Sequence, residues 1–351
     1  MMNKKLKVGV LLGGRSAEHE VSLLSANNII GTLDKNKYDV FPIIIDKDGK
    51  WFWGDKKNFI INENNPQLVK LNKPSKKNRL IFNQLVEKKF DIIFPVLHGP
   101  YGEDGSVQGL LKLLEIPYVG TDILGSAINL DKVIEKRLLK EAGILVPKFL
   151  VLRKGERISF INVKKKLGLP VFIKPANLGS SVGISKVRTR NEFNNAIKRA
   201  FLYDNKIILE EFIKGDEIFC SVLGNENPSV SVLGRLKTNH DFYDYNAKYI
   251  DDIKMEIPFI GDKRTINHLQ ETARKAYQEL CCQGMARVDM FLTKNNKVYL
   301  CEINTIPGFT GHSWYPLLWN ASGISTKELL DKLISLALKK FKEDKKLKTI
   351  I

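Results

Sequence analysis

Two stretches near the C-terminal end, 287–292 and 298–304, alternate polar with apolar residues. Arg287 and Asp289 therefore share one face of the first, and Glu302 and Asn304 share one face of the second. The link Asn295-Asn296 predicts a two-residue type I′ turn, since Asn tolerates positive φ. A turn centred there sets Asp289 opposite Glu302 and Arg287 opposite Asn304. Two carboxylates, one amide oxygen and a guanidinium on one side of a β-ribbon are what a Mg²⁺-bound polyphosphate requires. The oxygens suit a hard cation, and the fixed positive charge suits a transferring phosphoryl group. A half-exposed hairpin with its charges in water explains any one of these residues, but is a weak account of four brought together by one turn.

Upstream, 171–187 reads as a strand, a Gly/Ser loop around Gly179-Ser180-Ser181, and a second strand. Small residues let backbone N–H groups approach phosphate oxygens, the hydroxyls add donors, and Lys174 closes the incoming strand as a point charge. It is not a Walker loop, because Gly-Lys-Ser/Thr is missing and a strand follows. A hairpin loop without function fits the same residues equally well. In 207–217 a strand runs out through Glu210, Glu211 and Ile213, a place to meet a purine edge, with Glu217 set for ribose hydroxyls. An acidic turn is the plainer account.

Gly13-Gly14-Arg15-Ser16-Ala17-Glu18 is a strand, a glycine turn and a helix start, with Ser16 as the expected cap. Glu18, one turn in, is placed to hold an ammonium group. His98 at a strand end, followed by glycines 99, 102 and 105, sits where open α/β sheets bind ligands, although a lone histidine is more often structural. Residues 238–252, with tyrosines 243, 245 and 249 around Lys248, read as a flap that excludes water, or as a plain surface loop. The Gly-rich turn after the ribbon, Thr305 to Ser313, can aim a backbone N–H at developing negative charge.

The elements that position these groups follow from the βα rhythm of the first third. Strands at 7–12, 40–45 and 91–97 and helices at 16–30 and 106–114 predict a parallel sheet through about residue 125, with an edge hairpin in 46–80. A helix at 131–142 introduces an α+β module, and the last part mixes strands with helices at 265–282 and 325–341, the latter opened by a capping box at Ser325–Glu328. The expected domains are 1–126, an α/β substrate domain; 127–216, a nucleotide lid; and 217–351, which carries the metal site. At 351 residues the chain exceeds one ordinary core. Four cysteines without C-x-x-C spacing argue against a disulfide framework or a zinc site and favour a reducing cytoplasm. The formal charge of +17 is spread along the chain without a nucleic-acid motif, so neither nucleic acid nor membrane is expected as a partner. The charge is compatible with attracting anionic nucleotides.

Taken in order, these motifs resemble the ATP-grasp superfamily and, within it, the D-alanine–D-alanine ligase family, over nearly the whole chain. The resemblance rests on Gly13–Ser22, His98–Gly105, Lys174-Pro175 with Gly179–Gly183, Tyr243–Tyr249, Arg287-x-Asp289 and Glu302-x-Asn304 with Pro307-Gly308. It implies an ATP-grasp fold of three domains and a ligase that makes a D-alanyl phosphate before joining a second D-alanine. Carried over, Asp289, Glu302 and Asn304 hold two Mg²⁺ ions, with Mn²⁺ as a substitute. Lys132, Lys174, Lys248 and Ser181 serve the ATP phosphates, while Glu210, Glu211, Ile213 and Glu217 hold adenine and ribose. Glu18 orients the first ammonium, with Ser180 and Tyr249 tying it to the flap, and His98 lies beside that substrate. Arg287 and the Gly308 N–H meet the oxyanion, and Ser313 binds the second carboxylate. A homodimer is the family's habit. Leu178 departs from relatives that carry an acid there. The resemblance leaves a D-alanine–D-lactate ligase as the near alternative. Composition alone leaves a non-catalytic nucleotide- or nucleic-acid-binding protein, and Gly13-Gly14 alone a Rossmann-type oxidoreductase.

Overall fold

The computed structural model describes residues 4–55, 58–62, 68–72, 74–80, 83–179, 181–237 and 254–348. The first sheet is built on β1 (Leu6–Gly13), which pairs in parallel with β2 (Tyr38–Ile45) on one side and, across the chain, with Ile92–Pro95 on the other. β3 (Trp51–Trp53) adds an antiparallel edge to β2, and β4 (Ile60–Ile61) with β5 (Lys70–Leu71) forms the small hairpin expected in 46–80. Ile92–Pro95 is β6.

Alternation along β1 sends Val8, Val10 and Leu12 to one face and Leu11 to the other. The first face is covered by α1 (His19–Thr32) through Leu23, Ala26 and Ile29. The second packs on Ile93, Val107 and Leu111, the latter two from a helix at Ser106–Leu113. Gly13 is required where β1 turns: its φ is +91°, and a Cβ would stand 2.2 Å from the Ile45 carbonyl oxygen. The helix that follows begins at His19, later than the expected Ser16. Ser16 Oγ instead accepts the Glu18 N–H at 3.0 Å within the turn.

Helices at Asn83–Glu87 (α2) and Ser106–Leu113 (α3) precede one that periodicity did not give, α4 (Ile123–Leu130). It is only two turns long and runs directly into Asp131, the cap of α5 (Lys132–Glu141), so the two helices share one short window. The second sheet is antiparallel, in the order β7 (Phe149–Arg153), β10 (Lys206–Glu211), β8 (Val171–Pro175), β9 (Ser185–Val187). One face buries Val171, Ile173, Ile207 and Leu209 under α6 (Phe160–Leu167) and α7 (Arg190–Ala200). The period of two then places Phe172, Lys174, Ile208 and Glu210 on the opposite face.

The third sheet runs β13 (Lys254–Glu256), β12 (Ser229–Lys237), β11 (Gly215–Gly224), β14 (Gly284–Thr293), β15 (Val298–Asn304), all antiparallel. Its inner face packs on α8 (Lys263–Glu279), and its other face carries Phe219 against Trp314 of α9 (Trp314–Ala321). The last helix, α10 (Thr326–Asp344), returns to the first sheet and buries Leu329, Leu330, Leu333 and Ile334 with Val8 and Val10. Ser325 caps it by accepting the Glu328 N–H. Among the described residues no helix is long and apolar enough to cross a membrane.

Because Leu333 joins the chain's end to its first sheet and is fully buried, Leu333→Ala should lower the unfolding free energy by about 2–5 kcal/mol. Urea denaturation measures this, and a change under 1 kcal/mol, about the cost of a surface substitution, would refute the packing assigned to α10.

Candidate active site

The ribbon β14–β15 forms as expected, but by a different route. The connection is a three-residue loop, 294–296, closed by Thr293 N–H donating to Lys297 O (3.0 Å), with Asn296 at φ +56°. That displaces the pairing by one residue, through Leu292↔Val298 to Met290↔Leu300. A bulge at Cys301 then restores it, giving Asp289↔Glu302 and Arg287↔Asn304. The extra residue lets Leu300 and Ile303 both reach the core, while Glu302 and Asn304 keep the face of Asp289. On that face Arg287 grips Asp289 through two bonds of 2.7 Å, and Asn304 Nδ2 donates to Asp289 Oδ2 at 3.2 Å. Among the described residues no cluster of three His, Cys, Asp or Glu is placed for a metal ion. The donors gathered here are two carboxylates and an amide, hard oxygens that suit Mg²⁺ better than a soft or imidazole-preferring ion.

Facing the ribbon stands the outer face of the second sheet. Glu210, 3% exposed, accepts from Lys174 Nζ at 2.6 Å and lies 3.3 Å from Lys136 Nζ. Burial pushes its carboxyl up, but the two ammonium groups outweigh this and hold it at about 2. Burial likewise opposes the charge on Lys174, yet Glu210 and the more distant Glu302 keep its pKa above the usual lysine value. Helix α5 enters between sheet and ribbon. Lys132 Nζ donates to Leu178 O in the Gly/Ser loop (2.6 Å) and lies 3.8 Å from Glu302, while Lys136 Nζ donates to Cys301 O (2.8 Å).

The N-terminal motifs close the far side. A Cβ at Gly179 would stand 3.1 Å from Glu18 Oε2, and one at Gly99 3.4 Å from the same atom, so both glycine loops approach the Glu18 carboxylate. His98 is buried and donates through Nδ1 to Ile306 O (3.0 Å). Its Nε2 has no hydrogen-bond partner among the described residues. Burial lowers its pKa, against the pull of Glu18, so the ring is neutral with Nε2 as acceptor. Glu103 accepts the N–H groups of Gly99 and Ile306, and burial with the Glu18 charge pushes it up to about 8. Ser25 and Asn28 of α1 hold Phe309, through its N–H (3.1 Å) and its carbonyl (2.6 Å). The turn beyond is tight: a Cβ at Gly308 would be 2.8 Å from Ser313 Oγ, which itself accepts the Thr310 N–H.

Two family models match the chain: "D-ala D-ala ligase N-terminus" over residues 7–121 and "D-ala D-ala ligase C-terminus" over 138–335. The D-alanine–D-alanine ligase of Oceanobacillus iheyensis is 47% identical, with 98% of each chain covered. The chain belongs to the D-alanine–D-alanine ligase family. Among solved structures, the VanG D-Ala:D-Ser ligase of Enterococcus faecalis superposes with a TM-score of 0.82 at 38% identity, covering 95% of this chain and 100% of that one. The D-alanine–D-alanine ligase of Bacillus anthracis, solved in complex with ATP, gives 0.76 at 31% identity, with 97% and 99% covered. The mixed sheets described above are therefore those of an ATP-grasp ligase, as the motifs led us to expect. Family membership displaces the oxidoreductase and non-catalytic alternatives.

Of the residues expected to serve this ligase, Lys132 and Lys174 are drawn to Glu302, Arg287 and Asn304 bond Asp289, His98 feels the charges of Glu18 and Arg287, and Gly308 and Ser313 meet in the turn after the ribbon. Ser181 lies in the Gly/Ser loop at φ +59°. Glu211 accepts the Lys148 N–H at the strand's end (2.7 Å), with half-buried Ile213 in the link that follows, whereas Glu217, expected in a turn, lies within β11. Ser180, Lys248 and Tyr249, with the rest of the expected flap, lie outside the described residues. Sequence reasoning missed Glu135, Lys136, Ser25 and Asn28, and gave Glu103 no role. On a helix, Lys132, Glu135 and Lys136 read as a solvated charged stripe, and nothing local signals that this face is buried.

With a folded-state pKa below the ordinary 4.5, Glu210 contributes stability fully above that value, and loses it as the pH falls toward 2. Glu210→Gln strands two buried ammonium groups and should cost about 3–5 kcal/mol near neutrality. The gap to wild type should narrow steadily below pH 4.5 in urea titrations, and a pH-independent gap would refute the pairing.

Proposed function

We propose that this chain catalyses the ADP-forming condensation of two D-alanine molecules in the cytoplasm, with ATP as co-substrate, to supply the dipeptide for peptidoglycan precursors. The observation that carries this is the oxygen-donor ribbon set against Lys132 and Lys174, with the Glu18 carboxylate approached by both glycine loops. The carboxylate of the first D-alanine attacks the γ-phosphorus of ATP, and the bond to the ADP oxygen breaks. The amine of the second attacks the resulting acyl phosphate at carbon, and inorganic phosphate leaves as the amine sheds a proton.

Glu18 binds the first ammonium and so aims its carboxylate at the triphosphate. Neutral His98, fixed by the Ile306 carbonyl, borders that amino acid without adding charge. Arg287 and the Gly308 N–H are assigned to the oxyanion of the tetrahedral intermediate, where fixed dipoles and charge act most strongly. Ser313 takes the second carboxylate. Lys132 and Lys174 offset phosphate charge, with Lys248 and Ser181 as further donors, and 210–217 takes adenine and ribose. Asp289, Glu302 and Asn304 would hold two Mg²⁺ ions, which when bound neutralise the polyphosphate. Tyr249 and Ser180 link flap to Glu18. Domain limits at 126 and 216, and a homodimeric working unit, complete the reading.

The likeness to a D-Ala:D-Ser ligase favours one second reading, with D-serine as nucleophile. Phosphate release from Mg²⁺ and ATP with D-alanine alone, and with D-serine or D-lactate added, separates the cases by product mass. D-alanyl-D-alanine should dominate. A mixed product in excess at equal concentrations would transfer the chain to the D-serine or D-lactate class, and no phosphate release would end the proposal. Asn304→Ala and Glu302→Gln should each lower turnover by more than about 100-fold, beyond the usual loss from an outer-shell partner. Steady-state rates against metal concentration check this, and near-wild-type turnover in either variant would contradict the metal assignment.

A further inference from the structure

β15 is the end strand of its sheet, so the peptide groups on its outer edge have no neighbouring strand. Three partners take that place. Leu300 N–H donates to Leu145 O (2.8 Å), Cys301 O accepts from Lys136 Nζ (2.8 Å), and Ile303 N–H donates to Glu135 Oε1 (2.7 Å). The last two partners are adjacent residues of α5, and they grip the chain on either side of Glu302. Glu135 is fully buried, and its Oε2 has no hydrogen-bond partner among the described residues. A carboxyl group desolvated for a single backbone bond is a poor way to gain stability. Its place is more telling: it fixes the peptide between Glu302 and Asn304, just past the bulge where the ladder's register is least constrained.

We propose that Glu135 is a positioning residue for the metal ligands, holding the Ile303 peptide so that Glu302 and Asn304 stay on the face of Asp289. The proposal rests on the reading of those three side chains as metal ligands. Lys136 does the same for the Cys301 carbonyl and, through Glu210, ties the ribbon to the second sheet. Outer partners of this kind set how tightly a metal is held.

Two substitutions separate reach from the carboxyl group itself. Glu135→Asp keeps the carboxyl but is one methylene too short for the Ile303 N–H, whereas Glu135→Gln keeps length and an acceptor oxygen. Mn²⁺ binding in the presence of ADP, followed by the paramagnetic resonance of the free ion, is read beside hydrogen exchange of the 300–304 amides and the KM for D-alanine. The Asp variant should weaken Mn²⁺ binding roughly 10–100-fold and speed exchange at Ile303, while Gln and the D-alanine KM stay within about twofold of wild type. Should the Asp variant not fold, Glu135→Met keeps the volume and removes both acceptors. Equal losses in Asp and Gln, or a lowered melting temperature with wild-type Mn²⁺ affinity, would overturn the proposal. Wild-type protein that binds no Mn²⁺ with ADP would sink the metal reading and this inference with it. Normal wild-type binding with an unaffected Asp variant would sink the inference alone.

Discussion

The buried carboxylate of Glu210, held between the ammonium groups of Lys174 and Lys136, is the interaction on which the site's assembly depends. Lys174 and Glu210 lie on neighbouring strands of the second sheet, and Lys136 comes from helix α5. One anion therefore joins the sheet that faces the ribbon to the helix that borders it. Taking three charges out of water is costly, and only mutual pairing with the Cys301 carbonyl as a further acceptor offsets it. The same helix reaches the Gly/Ser loop and β15 through Lys132, one turn earlier. A short helix with two inward lysines and a buried carboxyl group thus fixes the spacing between the Gly/Ser loop and the carboxylate ribbon.

The opposite wall is fixed from the other end of the chain. Backbone groups of Ile306 and Phe309 are held by Ser25 and Asn28 of α1 and by His98 and Glu103 of the loop between β6 and α3. The turn that carries Gly308 is therefore anchored by residues from the first third of the chain. Helix α10 strengthens the arrangement by packing its leucines beneath β1. Groups that are distant in sequence are tied to one another because polar anchors and an apolar helix both cross the same junction. Preorganised donors are worth most where they need not move as charge develops.

Some of this was legible in the chain itself. Alternation in 287–292 and 298–304 put Arg287, Asp289, Glu302 and Asn304 on shared faces because a strand's period of two leaves no other choice. Glycines at 13, 14, 99 and 179 marked close approaches, and the βα rhythm gave the parallel sheet. The turn chemistry was less legible. Asn295-Asn296 reads as a two-residue turn, yet the loop holds three residues, and only the compensating bulge at Cys301 brings the expected partners together. A bulge is set by the twist and packing of the finished sheet, and no single residue type announces it.

Local pattern, then, determined which side chains share a face, where the chain turns and which segments alternate strand with helix, since those depend on neighbours two to four residues apart. Tertiary structure alone decided that Glu135 and Lys136 are buried, that Glu210 pairs with two lysines, and that Ser25 and Asn28 hold a loop some 280 residues away. On an isolated helix a charged residue belongs in water. It turns inward only when a distant strand edge or carboxylate offers a bond that water would otherwise make.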